Sequence, residues 1–251
     1  MLKSYLQFLH TLVIVAWVIV STILVGLSVI LCSFFSRNGN VPHLMARFWA
    51  NAILWLSRAR VTVTGGEKLS PGRSYIYMAN HQSNADIPVL LGRLPVQFRW
   101  LAKAELFKIP IFGRAMRGVG YISIDRSNRK SAFQSLARAA ATIRNGTSVL
   151  IFPEGTRSRD GRLLPFKKGG FVLAVDSGVP IVPVIIRGTR NIIPKGHFVI
   201  RSAPITMQIL DPVETADYTR KTKDALLARI RTILVDHLDV DPLENEPQEA
   251  S

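Results

Sequence analysis

Asn80-His81-Gln82-Ser83-Asn84-Ala85-Asp86-Ile87-Pro88 follows directly on the apolar and aromatic run Tyr75-Ile76-Tyr77-Met78-Ala79. The run reads as a β-strand, it stops at a polar loop, and Pro88 opens a new apolar stretch, Val89-Leu90-Leu91. His81 and Asp86 sit in that loop, five positions apart. On an ideal helix they would stand roughly 140° apart, so an imidazole–carboxylate contact requires the loop to turn between them. A carboxylate on one ring nitrogen fixes the tautomer, leaves the other nitrogen free to accept a proton, and stabilises the imidazolium that forms. The same residues also read as a helix start, with Ser83, Asn84 or Asp86 as N-cap. Pro88 would then stand in the first turn, where its missing N–H costs nothing.

Outward from this loop, composition and alternation mark about seven strands: Val61–Thr64, Tyr75–Ala79, Val119–Ile124, Val149–Phe152, Ile181–Ile186, Phe198–Ile200 and Ile205–Leu210. Between them, Ser127–Asn145 carries an apolar stripe of Phe133, Leu136, Ala140 and Ile143, with Ser127 as N-cap and Gly146 as stop. Asp217–Leu238 reads as an amphipathic helix covering the sheet, with Leu226, Ile230, Ile233 and Leu234 near one face and His237 at its edge. Strands alternating with helices predict an α/β fold, a mixed and mostly parallel sheet flanked by helices, over residues 59–241. The polar, acidic residues 242–251 are expected to be disordered.

Residues 1–58 have a different character. No charged residue stands between Lys3 and Arg37, and Leu12–Phe35 is apolar but for a few Ser, Thr and Gly. About 20 helical residues cross a hydrocarbon core, so this run is long enough to span; it is longer than a signal-peptide core and lacks a small-residue cleavage site. A second helix, Leu44–Leu56, follows the Asn38-Gly39-Asn40 turn, with Phe48, Trp55 and nearby arginines suited to a membrane interface. Either the first helix spans, or the pair dips into one leaflet. His10 and His43 flank these helices and read as polar residues tolerated at the interface.

The formal net charge is +15, which points to anionic partners without choosing among nucleic acid, anionic lipid and phosphorylated substrate. Cys32 is the one cysteine, so neither an intramolecular disulfide nor a cysteine-rich zinc site is available. Between Gln97 and Gly170 there are fifteen basic residues against four acids. Three predicted strands end in chemistry: Tyr75–Ala79 runs into His81, Tyr121–Ile124 into Asp125-Arg126, and Val149–Phe152 into Pro153-Glu154-Gly155-Thr156-Arg157. If these strands are parallel neighbours, one base and two arginines meet at their carboxyl ends, where α/β sheets place their sites. Lys103, after Phe98-Arg99-Trp100-Leu101, is a fourth contributor, and Gly155 lets backbone approach a ligand that Arg157 can grip bidentately.

NHQSNADIP at Asn80–Pro88 with FPEGTRSR at Phe152–Arg159 resembles the membrane-bound glycerolipid acyltransferases, in particular the bacterial 1-acyl-glycerol-3-phosphate acyltransferases. GYISIDR at Gly120–Arg126, VPIVPV at Val179–Val184 and the Lys103-Ala104-Glu105-Leu106 element agree, in order, over Val61–Leu210. The resemblance implies His81 as general base on the acceptor hydroxyl and Asp86 as its orienting partner. It implies Lys103, Arg126 and Arg157 on the acceptor phosphate, Glu154, Gly155 and Thr156 shaping that pocket, and Val179–Val184 lining the acyl path. The implied acceptor is lysophosphatidic acid and the donor an acyl thioester of acyl carrier protein or coenzyme A, with no metal and no cofactor. The implied place is a bacterial inner membrane, with the catalytic domain facing the cytoplasm.

Direct transfer fits the absence of a Gly-x-Ser-x-Gly elbow, because the acceptor hydroxyl is itself the nucleophile. The sequence does not name the oxyanion donors; backbone N–H groups near His81 or at the Gly155 turn are candidates by geometry only. Two rivals stand beside this reading: the same chemistry on glycerol 3-phosphate or a lyso-ornithine lipid, and a basic membrane-anchored protein binding nucleic acid or anionic lipid. No groove-reading or RNA-stacking motif is visible, so no nucleic-acid partner is expected.

Overall fold

Alternation within the central strand divides the molecule. Tyr75, Tyr77 and Ala79 enter one apolar core, Ile76 and Met78 the other, as side chains on opposite faces of a pleat must. The structure, a computed structural model of the 251-residue chain, describes residues 2–36, 38–125, 129–192 and 200–239. Arg126, Ser127, His197, Phe198 and the 242–251 tail therefore lie outside the described residues.

Seven strands form one sheet: β1 Arg60–Thr64, β2 Ile76–Ala79, β3 Arg99–Lys103, β4 Ile122–Ile124, β5 Val149–Ile151, β6 Ile181–Arg187 and β7 Pro204–Ile209. Their order is β1-β7-β6-β2-β5-β3-β4, every pair parallel except β6–β7. The α/β class and mixed sheet are thus as expected, but one member differs. β3 was not among the predicted strands, because charged Arg99 and Lys103 bound it, and Ile200 is not in a strand. Val119 ends a helix instead of opening a strand; Gly120, at φ 84°, stops that helix in the left-handed region.

The helices α1 Leu2–Ser33, α2 Asn40–Leu56, α3 Asp86–Arg93 and α4 Phe112–Val119 are packed together, and α2 and α3 cover one face of the sheet. The opposite face carries α5 Arg129–Arg144, α6 Gly169–Ser177 and α8 Lys223–Asp239, and the short α7 Thr189–Ile192 follows β6. Leu226, Ile230 and Leu234 of α8 are fully buried, the stripe the period predicted. The helix begins at Lys223 and not at Asp217, because Thr219 and Thr222 bond each other's backbone N–H in a turn.

α2 is stapled to the domain. Ala50 and Leu54 enter the core, and Arg47 donates to the carbonyls of Gly92 (3.2 Å) and Leu94 (2.6 Å), where a cation suits the end of α3. His43, expected at an interface, is instead wholly buried, edge-on to Phe98 at 5.2 Å. Burial, with Arg99 and Arg47 adding, pushes its pKa down to about 3, so it is neutral. α1 lies along the domain: Thr11 Oγ1 accepts the Ile200 N–H (3.0 Å), Ser21 Oγ accepts from Trp49 (3.1 Å), and Ser33 meets Gly118. Its outer side leaves Leu24 and Leu31 exposed, as is Phe35 just beyond its end.

Candidate active site

Asn80 sets the entry to the loop. Its amide donates to the Ile186 carbonyl (2.9 Å) and accepts the Ile186 N–H (2.8 Å), so the end of β2 is locked to β6. The chain then turns sharply, and His81 Nδ1 stands 2.8 Å from Asp86 Oδ2. The same carboxylate oxygen accepts the N–H groups of Gln82 (2.7 Å) and Ser83 (2.9 Å), which is the turn that five-residue spacing required. Asp86 is not the N-cap. It is the first residue of α3, its side chain 1% exposed, where the helix dipole favours a negative charge. Ser83 Oγ accepts the Ala85 N–H instead.

β5 lies beside β2, and its following loop closes over the histidine. Phe152 stacks on the His81 ring at 3.8 Å between centroids and 9° between planes, and the Ser158 N–H donates to the His81 carbonyl (2.8 Å). Glu154 is buried beneath: Oε1 accepts the His81 N–H (2.8 Å) and Oε2 the Leu164 N–H (2.9 Å). Burial raises its pKa, and those two N–H groups work the other way. Both carboxylate oxygens face backbone, so Glu154 braces the loop. Gly155, at φ 72°, makes the turn that a residue with Cβ rarely adopts, and Thr156 and Arg157 beyond it are exposed.

An apolar cavity of about 320 Å³ reaches His81 from the helix layer. Val25 and Val29 of α1, Trp49 of α2, Trp100 of β3, Met116 of α4 and Phe152 supply much of its wall, and Lys103 and Gly155 also line it. The Val179–Val184 element does not. It is the start of β6, with Ile181, Val182 and Val184 fully buried mid-sheet, because a central strand covered on both faces has no surface to offer a ligand.

Of the predicted residues, His81, Lys103 and Gly155 line one hollow, Asp86 and Glu154 are buried behind it and bonded to His81, and Thr156 and Arg157 stand in the adjoining loop. Four candidate oxyanion donors are otherwise engaged: the N–H groups of His81, Gln82 and Ser83 serve carboxylates, and that of Gly155 serves the Phe152 carbonyl. Phe152, Trp100 and the walls from α1, α2 and α4 were not anticipated. Phe152 ends the apolar run and is the first residue of FPEGTR, the one signal that could have drawn attention to it.

A model of the acyltransferase family matches residues 60–187. Over 86% of this chain and 69% of the relative, the sequence is 35% identical to a 1-acyl-sn-glycerol-3-phosphate acyltransferase of Cocos nucifera. The protein of that name from Limnanthes douglasii is 37% identical over 80% and 70%, and the human alpha form 34% over 78% and 70%. The crystal structure of the 1-acyl-sn-glycerophosphate acyltransferase PlsC from Thermotoga maritima superposes with a TM-score of 0.78 at 28% identity, covering 94% of this chain and 97% of that one. Plant and human relatives rank beside it, so the finer assignment to a bacterial branch is not carried by these likenesses. With the family match spanning half the chain and the same fold throughout, this chain belongs to the acyltransferase family.

Proposed function

We propose that the protein moves a fatty acyl group from a thioester of acyl carrier protein or coenzyme A to the sn-2 hydroxyl of 1-acyl-glycerol 3-phosphate, giving phosphatidic acid. One observation carries this reading: the His81–Asp86 pair stands at an apolar cavity whose lining includes Lys103, with exposed Arg157 in the neighbouring loop. The relatives' names supply the acceptor.

His81 Nδ1 faces Asp86, so Nε2 takes the proton from the acceptor hydroxyl as its oxygen attacks the thioester carbonyl. Asp86 stabilises the imidazolium. The tetrahedral intermediate then expels the thiolate, to which the imidazolium returns the proton. No acyl-enzyme forms, and no metal or cofactor takes part. Lys103 and Arg157, with Arg126, grip the acceptor phosphate; Glu154, Gly155 and Thr156 shape its pocket. The cavity holds an acyl chain.

The helix pair seats the domain on one leaflet. Between Thr11 and Ser33, about 33 Å of helix at 1.5 Å per residue, α1 is held against the domain. A helix flanked over that length by a charged domain cannot stand across a core about 30 Å thick while the domain stays in water. Its exposed apolar side and the Phe48 and Trp55 rings of α2 suit a half-embedded position. The arginines after Phe35 favour the cytoplasmic side.

The test is turnover by the purified protein with a donor-by-acceptor matrix. A positioned base contributes about 10²–10⁴-fold, so His81→Ala should remove turnover with acceptor binding mostly intact, and Arg157→Ala should raise the acceptor KM strongly. More than a tenth of wild-type kcat in His81→Ala would refute the base assignment. Transfer to a phosphate-free acceptor alone would refute the phosphate clamp.

A further inference from the structure

α4 separates two hollows. Ala115, Met116 and Val119 line the cavity beside His81, whereas Arg114 and Arg117 line a second cleft of about 520 Å³. That cleft lies where α1 ends and the chain turns into α2, with Ser33, Phe34, Asn38 and Gly120 among its walls. None of the described residues lining it is acidic. Both arginines are exposed; Arg114 bonds no other described residue, and Arg117 donates to the Phe107 carbonyl (2.9 Å).

A third guanidinium lies behind the wall. Arg99 is 4% exposed, donates to the carbonyls of Phe98 and Asn38 and to Asn40 Oδ1, and pairs with no carboxylate among the described residues. A Cβ on Gly120 would stand 3.4 Å from its Nε. A buried cation compensated only by neutral oxygens is costly, and this one lies behind Gly120, a residue of the cleft wall. The C-terminal ends of α1 and α4 border the same cleft and oppose an anion. Any attraction must therefore come from the arginines, which makes it sensitive to their loss.

The surroundings indicate which anion. At the end of α1, Leu31, Phe34 and Phe35 are 64%, 79% and 84% exposed. Exposed apolar side chains at the end of α1 thus flank a cleft lined by the arginines of α4, the arrangement by which basic residues reach the phosphate layer from hydrocarbon. We propose that this cleft binds the phosphate of an anionic membrane phospholipid, separately from the acyl-transfer site. The proposal rests on the reading that the helix pair lies in one leaflet.

Thermal unfolding of the full-length protein in neutral-detergent micelles reads such binding without turnover, since a ligand of the folded state raises the midpoint. Phosphatidylglycerol should raise it, and phosphatidylcholine at the same mole fraction should not. Arg114→Ala, which disturbs no described contact, should weaken the apparent affinity for phosphatidylglycerol roughly tenfold. Arg114→Ala with Arg117→Ala should abolish the response. Lys221→Ala with Arg229→Ala removes the same charge from exposed positions at α8, across the sheet, and should keep it; Arg157→Ala should keep it too. Four results would overturn the proposal: no response in the wild type, equal stabilisation by inorganic phosphate, equal loss in the α8 pair, or loss in Arg157→Ala. None of these measurements involves acyl transfer, so the proposed activity is judged separately by the His81→Ala assay.

Discussion

Asp86→Asn isolates the charge that faces His81. The substitution preserves volume, and the amide oxygen can still accept the Gln82 and Ser83 N–H groups that Asp86 Oδ2 now accepts at 2.7 and 2.9 Å. The asparagine NH₂ would then occupy the place of Oδ1, which has no partner among the described residues, so no existing bond is broken there. What disappears is the carboxylate charge beside an imidazole whose Nδ1 is 2.8 Å away. For charge centres about 4 Å apart and an effective dielectric near 20, that attraction is about 4 kcal/mol in the state where His81 carries the proton. A neutral hydrogen bond to the amide oxygen returns about 1 kcal/mol. The remaining ~3 kcal/mol corresponds to roughly two orders of magnitude in kcat. Folding should weaken by only about 1–3 kcal/mol, from neutral replacing charge-assisted bonds and the lost charge at the start of α3. Thiol release from the acyl donor measures kcat, and circular dichroism with thermal unfolding measures the fold. A folded Asp86→Asn protein with kcat within about fivefold of wild type would refute the argument, because the proton would then not reside on His81 in the rate-limiting step.

Phe152→Leu removes the ring stacked on His81 at 3.8 Å. A flat aromatic face beside a forming imidazolium is worth about 0.5–2 kcal/mol, so kcat should fall about 2- to 30-fold with KM nearly unchanged, and Phe152→Tyr should restore it; a change confined to KM would contradict this. His43 supplies a test of stability against pH. Its folded pKa is pushed down to about 3 from 6.5, so below about pH 6.5 the unfolded chain takes up a proton that the folded state refuses, and stability falls on acidification at up to about 1.4 kcal/mol per pH unit. His43→Phe removes this loss: its stability relative to wild type should improve by about 2 kcal/mol between roughly pH 8 and pH 5 in denaturant titrations. Parallel pH profiles would show that the ring is not excluded from protonation.

The phosphate of the acceptor and the phosphate proposed for the second cleft are chemically alike, yet the sites differ in what surrounds them. The first adjoins the proposed general base, His81, and an apolar cavity; the second adjoins exposed aromatic rings, and none of its described lining residues is acidic. Acyl transfer needs the former arrangement, and retention at a surface needs only the latter.

Local order was open to reading from the residues alone. The period of two in Tyr75–Ala79 and of nearly four in Leu226, Ile230 and Leu234 identifies strand and helix, because each period names the face that must leave water. The His81–Asp86 pair was legible for the same reason: five residues of polar loop can meet only by turning on themselves, and the Gln82 and Ser83 N–H groups hold that turn. Partners far apart in the chain were not legible. Phe152 reaches His81 only because β5 is laid beside β2, and Val179–Val184 lost its expected role because β6 took the place on β2's other side. An apolar stripe states that it will be buried but not against what. The burial of His43, the walls of the cavity and the arginine-lined cleft all follow from how α1, α2 and α4 pack on one another and on the domain, a choice made by the tertiary fold.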